Sequence, residues 1–179
     1  VLDRANSIEM NQVDLNWRAA PTEQLDALGE IYNDFLRSQY INSKDILEAE
    51  RKDLGEFIQK LTKINALLEE ADLQFAYRVR DEMAFYLLLN KANDLLPEKQ
   101  ALDFQLMQKV LPRIQGSSIG VKQVLLGLLN ILEGIKIAEQ DYSPDNLRSQ
   151  LPDEGKVQYP RSLRKIGFML RRYHNDGFT

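Results

Sequence analysis

Apolar residues along this chain recur at three- and four-residue spacing, and beyond the first ten positions they never settle into strict alternation. The opening stretch ends in Ser7-Ile8-Glu9-Met10, short and extended-looking, the size of an edge-strand remnant. Pro21-Thr22 then opens a helix whose one face carries Leu25, Leu28, Tyr32, Phe35 and Leu36. Ser43 is a suitable N-cap for a second, longer helix. In it Leu47, Leu54, Leu61 and Leu68 fall every seventh residue, with Phe57 and Ile64 between them and Glu50 breaking the pattern. About three heptads is the minimum for a coiled coil. The stripe therefore predicts packing against the preceding helix in preference to a dimer seam.

The same spacing predicts a third helix from residue 77 to about 96, closed by Pro97, and a fourth from 98 to 111, stopped by Pro112 and Gly116. Gly116-Ser117-Ser118-Ile119-Gly120 reads as a turn, and a very apolar fifth helix follows from 121 to about 138. Residues 141–158 hold Pro144, Pro152 and Gly155 among polar neighbours and read as a mobile loop or linker. A last amphipathic helix begins after Tyr159-Pro160, with Leu163, Ile166, Leu170 and Tyr173 on one side. The predicted fold class is all-α.

Composition changes this picture little. Over 179 residues, 44% hydrophobic and 28% charged residues are ordinary for a globular domain. The chain has no cysteine, which excludes disulfides and thiolate metal sites. The most apolar stretch, 121–137, is interrupted by Lys122, Gln123, Asn130, Glu133 and Lys136, and so predicts a buried core helix, not a membrane span. Charge is more informative. The net value is −4, yet residues 156–179 hold six basic residues against Asp176 alone, leaving the rest of the chain at −9.

The candidate chemistry is sparse. The one glycine cluster followed by a lysine, Gly116 to Lys122, has the wrong spacing for a phosphate loop and no strand leads into it. His174 is the only histidine, which rules out a histidine-based zinc site, and it reads as a surface residue near a helix C-terminus. No carboxylate pair stands out as an acid–base dyad. Three arginines remain. Arg4 lies in an apolar-acid-arginine opening, while Arg78 and Arg80 lie in the first turns of the third helix. An arginine at a subunit edge can stabilise charge on a phosphate bound next door, and its planar fork suits the task better than lysine. The plainer alternative is that Arg78 and Arg80 only pair with Asp81, Glu82 or other acids.

Leu2-Asp3-Arg4-Ala5-Asn6-Ser7-Ile8-Glu9 resembles the segment after sensor 1 in AAA+ proteins related to the McrB subunit of McrBC-type, 5-methylcytosine-specific restriction systems. Two more blocks are similar to the same family. One runs Leu102-Asp103-Phe104-Gln105-Leu106-Met107-Gln108-Lys109-Val110-Leu111-Pro112-Arg113-Ile114-Gln115-Gly116-Ser117. The other is Tyr159-Pro160-Arg161-Ser162-Leu163-Arg164-Lys165, followed by Met169-Leu170 and Gly177-Phe178-Thr179. The resemblance implies a helical AAA+ lid-type bundle with a C-terminal extension and a short N-terminal strand remnant. Residues 1–20 would end the large subdomain, 21–96 would be the lid and 97–179 the helical extension.

Residue by residue, the resemblance makes Arg4 an arginine finger acting in trans, with Asp3 fixing its loop. Arg78 becomes the lid arginine, sensor 2, which also contacts the nucleotide, and Arg80 the reserve candidate. It further implies a cytoplasmic ring-forming NTPase of a modification-dependent DNA restriction system, using GTP or ATP with Mg²⁺ in the intact protein. Neighbouring ring subunits, a partner nuclease and DNA held by the intact complex are the implied partners, with no membrane. Walker A, Walker B and sensor 1 residues are missing from these 179 positions. The piece alone is therefore expected neither to hydrolyse nucleotide nor to bind it tightly. Two alternatives stand beside this reading. One is a free-standing helical interaction module without nucleotide chemistry. The other is direct nucleic-acid binding through Arg161, Arg164, Lys165, Arg171 and Arg172, weakened by a lack of interleaved exposed aromatics.

Overall fold

The least polar helix forms the axis of the molecule. In the computed structural model, which describes residues 6–8, 44, 46–152 and 156–179, this helix is α5, Ile119–Glu133. Val121, Val124, Leu125, Leu126, Leu128, Leu129 and Leu132 are buried on it, most of its circumference, so neighbours must cover it on several sides. The short α1 (Glu48–Asp53) leads into α2 (Gly55–Glu69), which packs on one side of α5; α7 (Pro160–Asp176) packs on another. The pair α3 (Tyr77–Ala92) and α4 (Glu98–Gln105) closes the bundle, α4 also touching α7. A seventh helix, α6 (Pro144–Gln150), lies only against α7 among its main contacts. All described elements are helical, as the spacing predicts. The strand remnant, the helix opening at Pro21, the Ser43 cap and Arg4 lie outside the described residues.

The heptad stripe is used inside the chain. Leu54, Phe57, Leu61, Ile64 and Leu68 are all buried, and the helix carrying them packs on α5, which leaves no seam for a coiled-coil dimer. The expected single long helix is two, joined at Leu54. Two glycines of α5 lie close to this side of the bundle. A Cβ on Gly127 would stand 2.6 Å from Leu67 Cδ2, and one on Gly120 would stand 3.3 Å from the Ala71 Cβ.

Helix ends differ from expectation for local reasons. The third helix stops at Ala92, before Pro97, because Asp94 takes a φ of +49° and the Asn90 side chain donates to the Leu96 carbonyl at 2.8 Å. The fourth narrows to eight residues, then continues as a π-helical turn, Leu106–Val110, and a 3₁₀ turn, Leu111–Arg113. The fifth ends at Glu133 because Gly134 is left-handed at φ +72°, a common helix stop. Helix α6 falls in the stretch read as a linker. Its Pro144 occupies the first turn, where proline is tolerated, and the Ser143 hydroxyl accepts from the Asn146 N–H at 3.1 Å.

Buried polar joints fix α7 to the bundle. Tyr159, the N-cap position, contributes no side-chain cap. Asp103 of α4, fully buried, caps in its place. It accepts from the backbone N–H groups of Arg161 and Ser162, each at 2.9 Å, and from the Ser162 hydroxyl at 2.6 Å. Glu133 accepts from the N–H groups of Gln158 (3.1 Å) and Tyr159 (2.6 Å) just upstream. Lys60 of α2 donates to the buried Tyr159 hydroxyl at 2.5 Å. At the far end the Thr179 N–H donates to the Gly116 carbonyl at 3.0 Å and the Tyr173 hydroxyl to that of Ser117, also at 3.0 Å. A further ion pair joins the buried Lys109 of the π-helical turn to the partly exposed Glu82 of α3.

Candidate functional site

The start of α3 is the part of the surface where the predicted chemistry and the local structure meet. The turn entering it is anchored by Asn65 of α2, whose Oδ1 accepts from the Phe75 N–H at 2.8 Å. Phe75 is buried and pins the turn, while Ala76 takes the extended N-cap conformation. Tyr77 and Arg78 are the first two helical residues, and no acid lies in the first turn. The partial positive charge of the helix start is therefore not offset locally, and the Arg78 guanidinium adds to it.

Arg78 and Arg80 differ sharply. Arg78 is exposed, and no hydrogen bond or ion pair joins it to a described residue. Arg80 is held: its Nε donates to Asp81 Oδ1 at 2.8 Å and its guanidinium lies 4.8 Å from the Tyr77 ring centre. Among the described residues, the ion pairing weighed for both arginines in the sequence thus holds for Arg80 alone. A shallow cleft of about 260 Å³ opens beside this helix start, with Phe75, Ala76, Tyr77 and Arg80 on one side and Thr62 and Asn65 of α2 on the other. Tyr77, 75% exposed, was not among the sequence candidates; an aromatic at the first position of the helix is the signal that marks it.

The five basic residues of α7 do not form one patch. Arg161 is half-buried, lies 4.0 Å from the Asp103 carboxylate and covers the Phe104 ring at 4.1 Å, so it belongs to the joint between α4 and α7. Lys165 lies over Phe168 at 5.5 Å; Arg172 lies over Phe178 at 4.7 Å and 3.9 Å from Asp176. Phe168 and Phe178 are 46% and 45% exposed, which corrects the expectation that exposed aromatics are missing from this segment. Arg164 and Arg171 point elsewhere and line a groove shared with α6. Nor is His174 isolated, since its ring meets that of Tyr142 edge-on at 6.0 Å.

Among the described residues no group of three or more acidic or histidine side chains is placed to hold a metal ion. No described helix is long and apolar enough to cross a membrane. Burial raises the Tyr142 hydroxyl above the usual tyrosine range, and Arg171 partly opposes the shift.

No curated protein and no solved structure matches this chain. A sequence family does, over residues 21–178, which takes in every element from α1 to α7. The chain belongs to that family, the domain of unknown function DUF8727.

Proposed function

We propose that this chain is the lid and C-terminal helical portion of an AAA+ nucleotide-hydrolysing motor subunit of a modification-dependent DNA restriction system. The intact subunit would use GTP or ATP with Mg²⁺, assemble as a ring and act with a nuclease partner. The observation that carries the reading is the contrast at the start of α3. Arg78 is exposed and unpaired among the described residues on an unneutralised helix start, while Arg80 is held by Asp81 and Tyr77. An anion approaching that helix end meets backbone N–H groups and a guanidinium together. Of the contacts to a nucleotide, this chain would supply only Arg78 from within the subunit and Arg4 across the subunit boundary. The phosphate loop and the metal-binding acids would belong to residues outside these 179.

The test uses the intact subunit, with the reading frame extended upstream of Val1. Arg4→Ala is expected to lower turnover about 10³-fold or more with nucleotide affinity largely kept, since an arginine donated in trans acts in the transition state. Arg78→Ala is expected to weaken both binding and turnover, and Arg80→Ala to change neither more than about threefold. Normal turnover in the Arg4→Ala and Arg78→Ala proteins, or a frame that starts immediately before Val1 with no phosphate loop, removes the motor reading. The second reading, a helical interaction module, is favoured in that event by the groove between α6 and α7.

A further inference from the structure

The groove between α6 and α7 has a volume of about 510 Å³. Leu147, Leu163 and Gly167 line its apolar part; Arg148, Arg164 and Arg171 flank it. It exists because α7 is amphipathic on more than one side. Ile166, Met169 and Leu170 are buried in the bundle, whereas Leu163 and Gly167 face α6, which at seven residues is too short to cover them. Leu151, at the end of α6, remains 42% exposed.

Two observations say what kind of partner the groove fits. The first is Gly167 itself. It sits in the interior of a 17-residue helix, where glycine is less favourable than alanine. The chain's own packing does not require it, since a Cβ there would meet only Leu147 Cδ2, at an ordinary 3.7 Å. The missing side chain does one evident thing: it keeps the groove deep. The second is charge. Arg164 and Arg171 are exposed and form no ion pair with a described residue, and Arg148 lies 3.7 Å from a nearly fully exposed Asp145. Arg164 and Arg171 stand two helical turns apart, about 10 Å along α7. Carboxylates seven residues apart on a docked helix have the same separation.

We infer that the α6–α7 groove is a docking site for an acidic amphipathic helix of a partner protein. Leucine- or phenylalanine-type side chains fill the space over Gly167, and carboxylates on the flanks of that helix pair with Arg148, Arg164 and Arg171. This is helix-in-groove recognition, in which apolar anchors supply affinity and rim charges set orientation. Duplex DNA fits less well, because its phosphates would use the arginines and leave the leucine-lined hollow unfilled. The inference does not depend on the nucleotide reading, and its test involves no hydrolysis.

The test is fluorescence anisotropy on this chain with a labelled 18-residue helical peptide bearing leucine at three- and four-residue spacing and glutamate elsewhere. The control peptide replaces every glutamate with lysine. The acidic peptide is expected to bind, and the lysine peptide to bind at least about tenfold more weakly. Gly167→Leu, which fills the groove from its floor, is expected to weaken the acidic peptide at least about tenfold with an unchanged circular dichroism spectrum. The Arg164→Glu/Arg171→Glu double variant is expected to reverse the preference between the two peptides. Equal binding of both peptides, no binding of the acidic one, or full binding to the Gly167→Leu protein overturns the proposal. So does a 20-base-pair duplex that displaces the peptide and binds the Gly167→Leu protein as well as the parent.

Discussion

Replacing Asp103 is expected to be among the most damaging single changes in this domain, and the reason lies at the start of α7. A helix leaves its first N–H groups without intrahelical partners, and here the N-cap position is Tyr159, which cannot cap with its side chain. Asp103 accepts two of those N–H groups and the Ser162 hydroxyl, with carboxylate and hydroxyl both fully buried. Hydrogen bonds to an ionised group contribute about 1.5–3 kcal/mol each, less than additively when shared by one carboxylate. Asp103→Ala would also leave donors buried without partners. Together these place its effect at about 3–5 kcal/mol of lost stability. Asp103→Asn keeps one acceptor but turns an amide N–H₂ toward a backbone donor, for a loss of about 2–3 kcal/mol.

Urea denaturation followed by circular dichroism at 222 nm reads the difference directly. In a domain of this size about 3–5 kcal/mol corresponds to a fall in melting temperature of roughly 6–20 °C. The sharper check is a double-mutant cycle with Ser162→Ala, which removes one of the three donors. Coupling between the two sites should be about 1 kcal/mol or more. A loss below about 0.5 kcal/mol for Asp103→Ala, or simple additivity with Ser162→Ala, would refute the idea that this carboxylate caps α7 from another helix.

Two other substitutions test the buried polar groups. The Tyr142 hydroxyl is buried with no hydrogen-bond partner among the described residues, so Tyr142→Phe should raise stability at pH 7 by about 1 kcal/mol in urea denaturation. Because burial raises its pKa, the unfolded chain loses this proton first, and stability falls as pH rises past the unfolded value of about 10; the Phe variant should lack that part of the decline. The Lys109–Glu82 pair should respond asymmetrically, since the Lys109 side chain is 3% exposed and that of Glu82 36%. Glu82→Gln strands a buried ammonium and should lower stability by about 3 kcal/mol, whereas Lys109→Met leaves a carboxylate that water can reach and should lower it by about 1 kcal/mol or less. Equal losses in the two variants would count against the geometry.

The helices were legible where one apolar face is long, as in α2, α5 and α7, since burial and periodicity there say the same thing. Their ends were less so. Pro97 and Pro112 mark the chain after α3 and α4, but what ends α3 is the left-handed Asp94, and α4 passes through a π-helical turn that no spacing announces. Helix α6 was missed because its proline and polar residues look like a linker until Ser143 is recognised as a cap for a helix starting at Pro144. At the candidate site the residues alone put Arg78 and Arg80 side by side, and only the resemblance ranked Arg78 first and Arg80 as reserve. In the structure, the position of Asp81 and the Tyr77 ring separates them. The α7 cations show the same limit, because their division between ring contacts, a joint and a groove depends on neighbours from α4 and α6.

The two longer blocks that carry the resemblance are joined to each other by hydrogen bonds, and this changes what a resemblance in them can mean. Asp103 of the first block caps the helix that carries Arg161 and Ser162 of the second. Gly116 and Ser117, at the end of the first block, accept hydrogen bonds from Thr179 and Tyr173 near the end of the second. Residues 103–117 and 161–179 are thus tied by mutual contacts, each of which constrains its partner whatever the protein does. Similarity confined to these joints speaks for a shared bundle, not for shared chemistry. Residues that serve a partner or a ligand are better sought where packing makes no demand: at Arg78, which the bundle leaves unpaired among the described residues, and at Gly167, which the bundle does not need to be glycine. On the readings proposed, Arg78 would meet an anion and Gly167 a partner's helix. A domain whose own core is satisfied can hold these two surfaces at once, and variants at one should leave the other intact because different helices carry them.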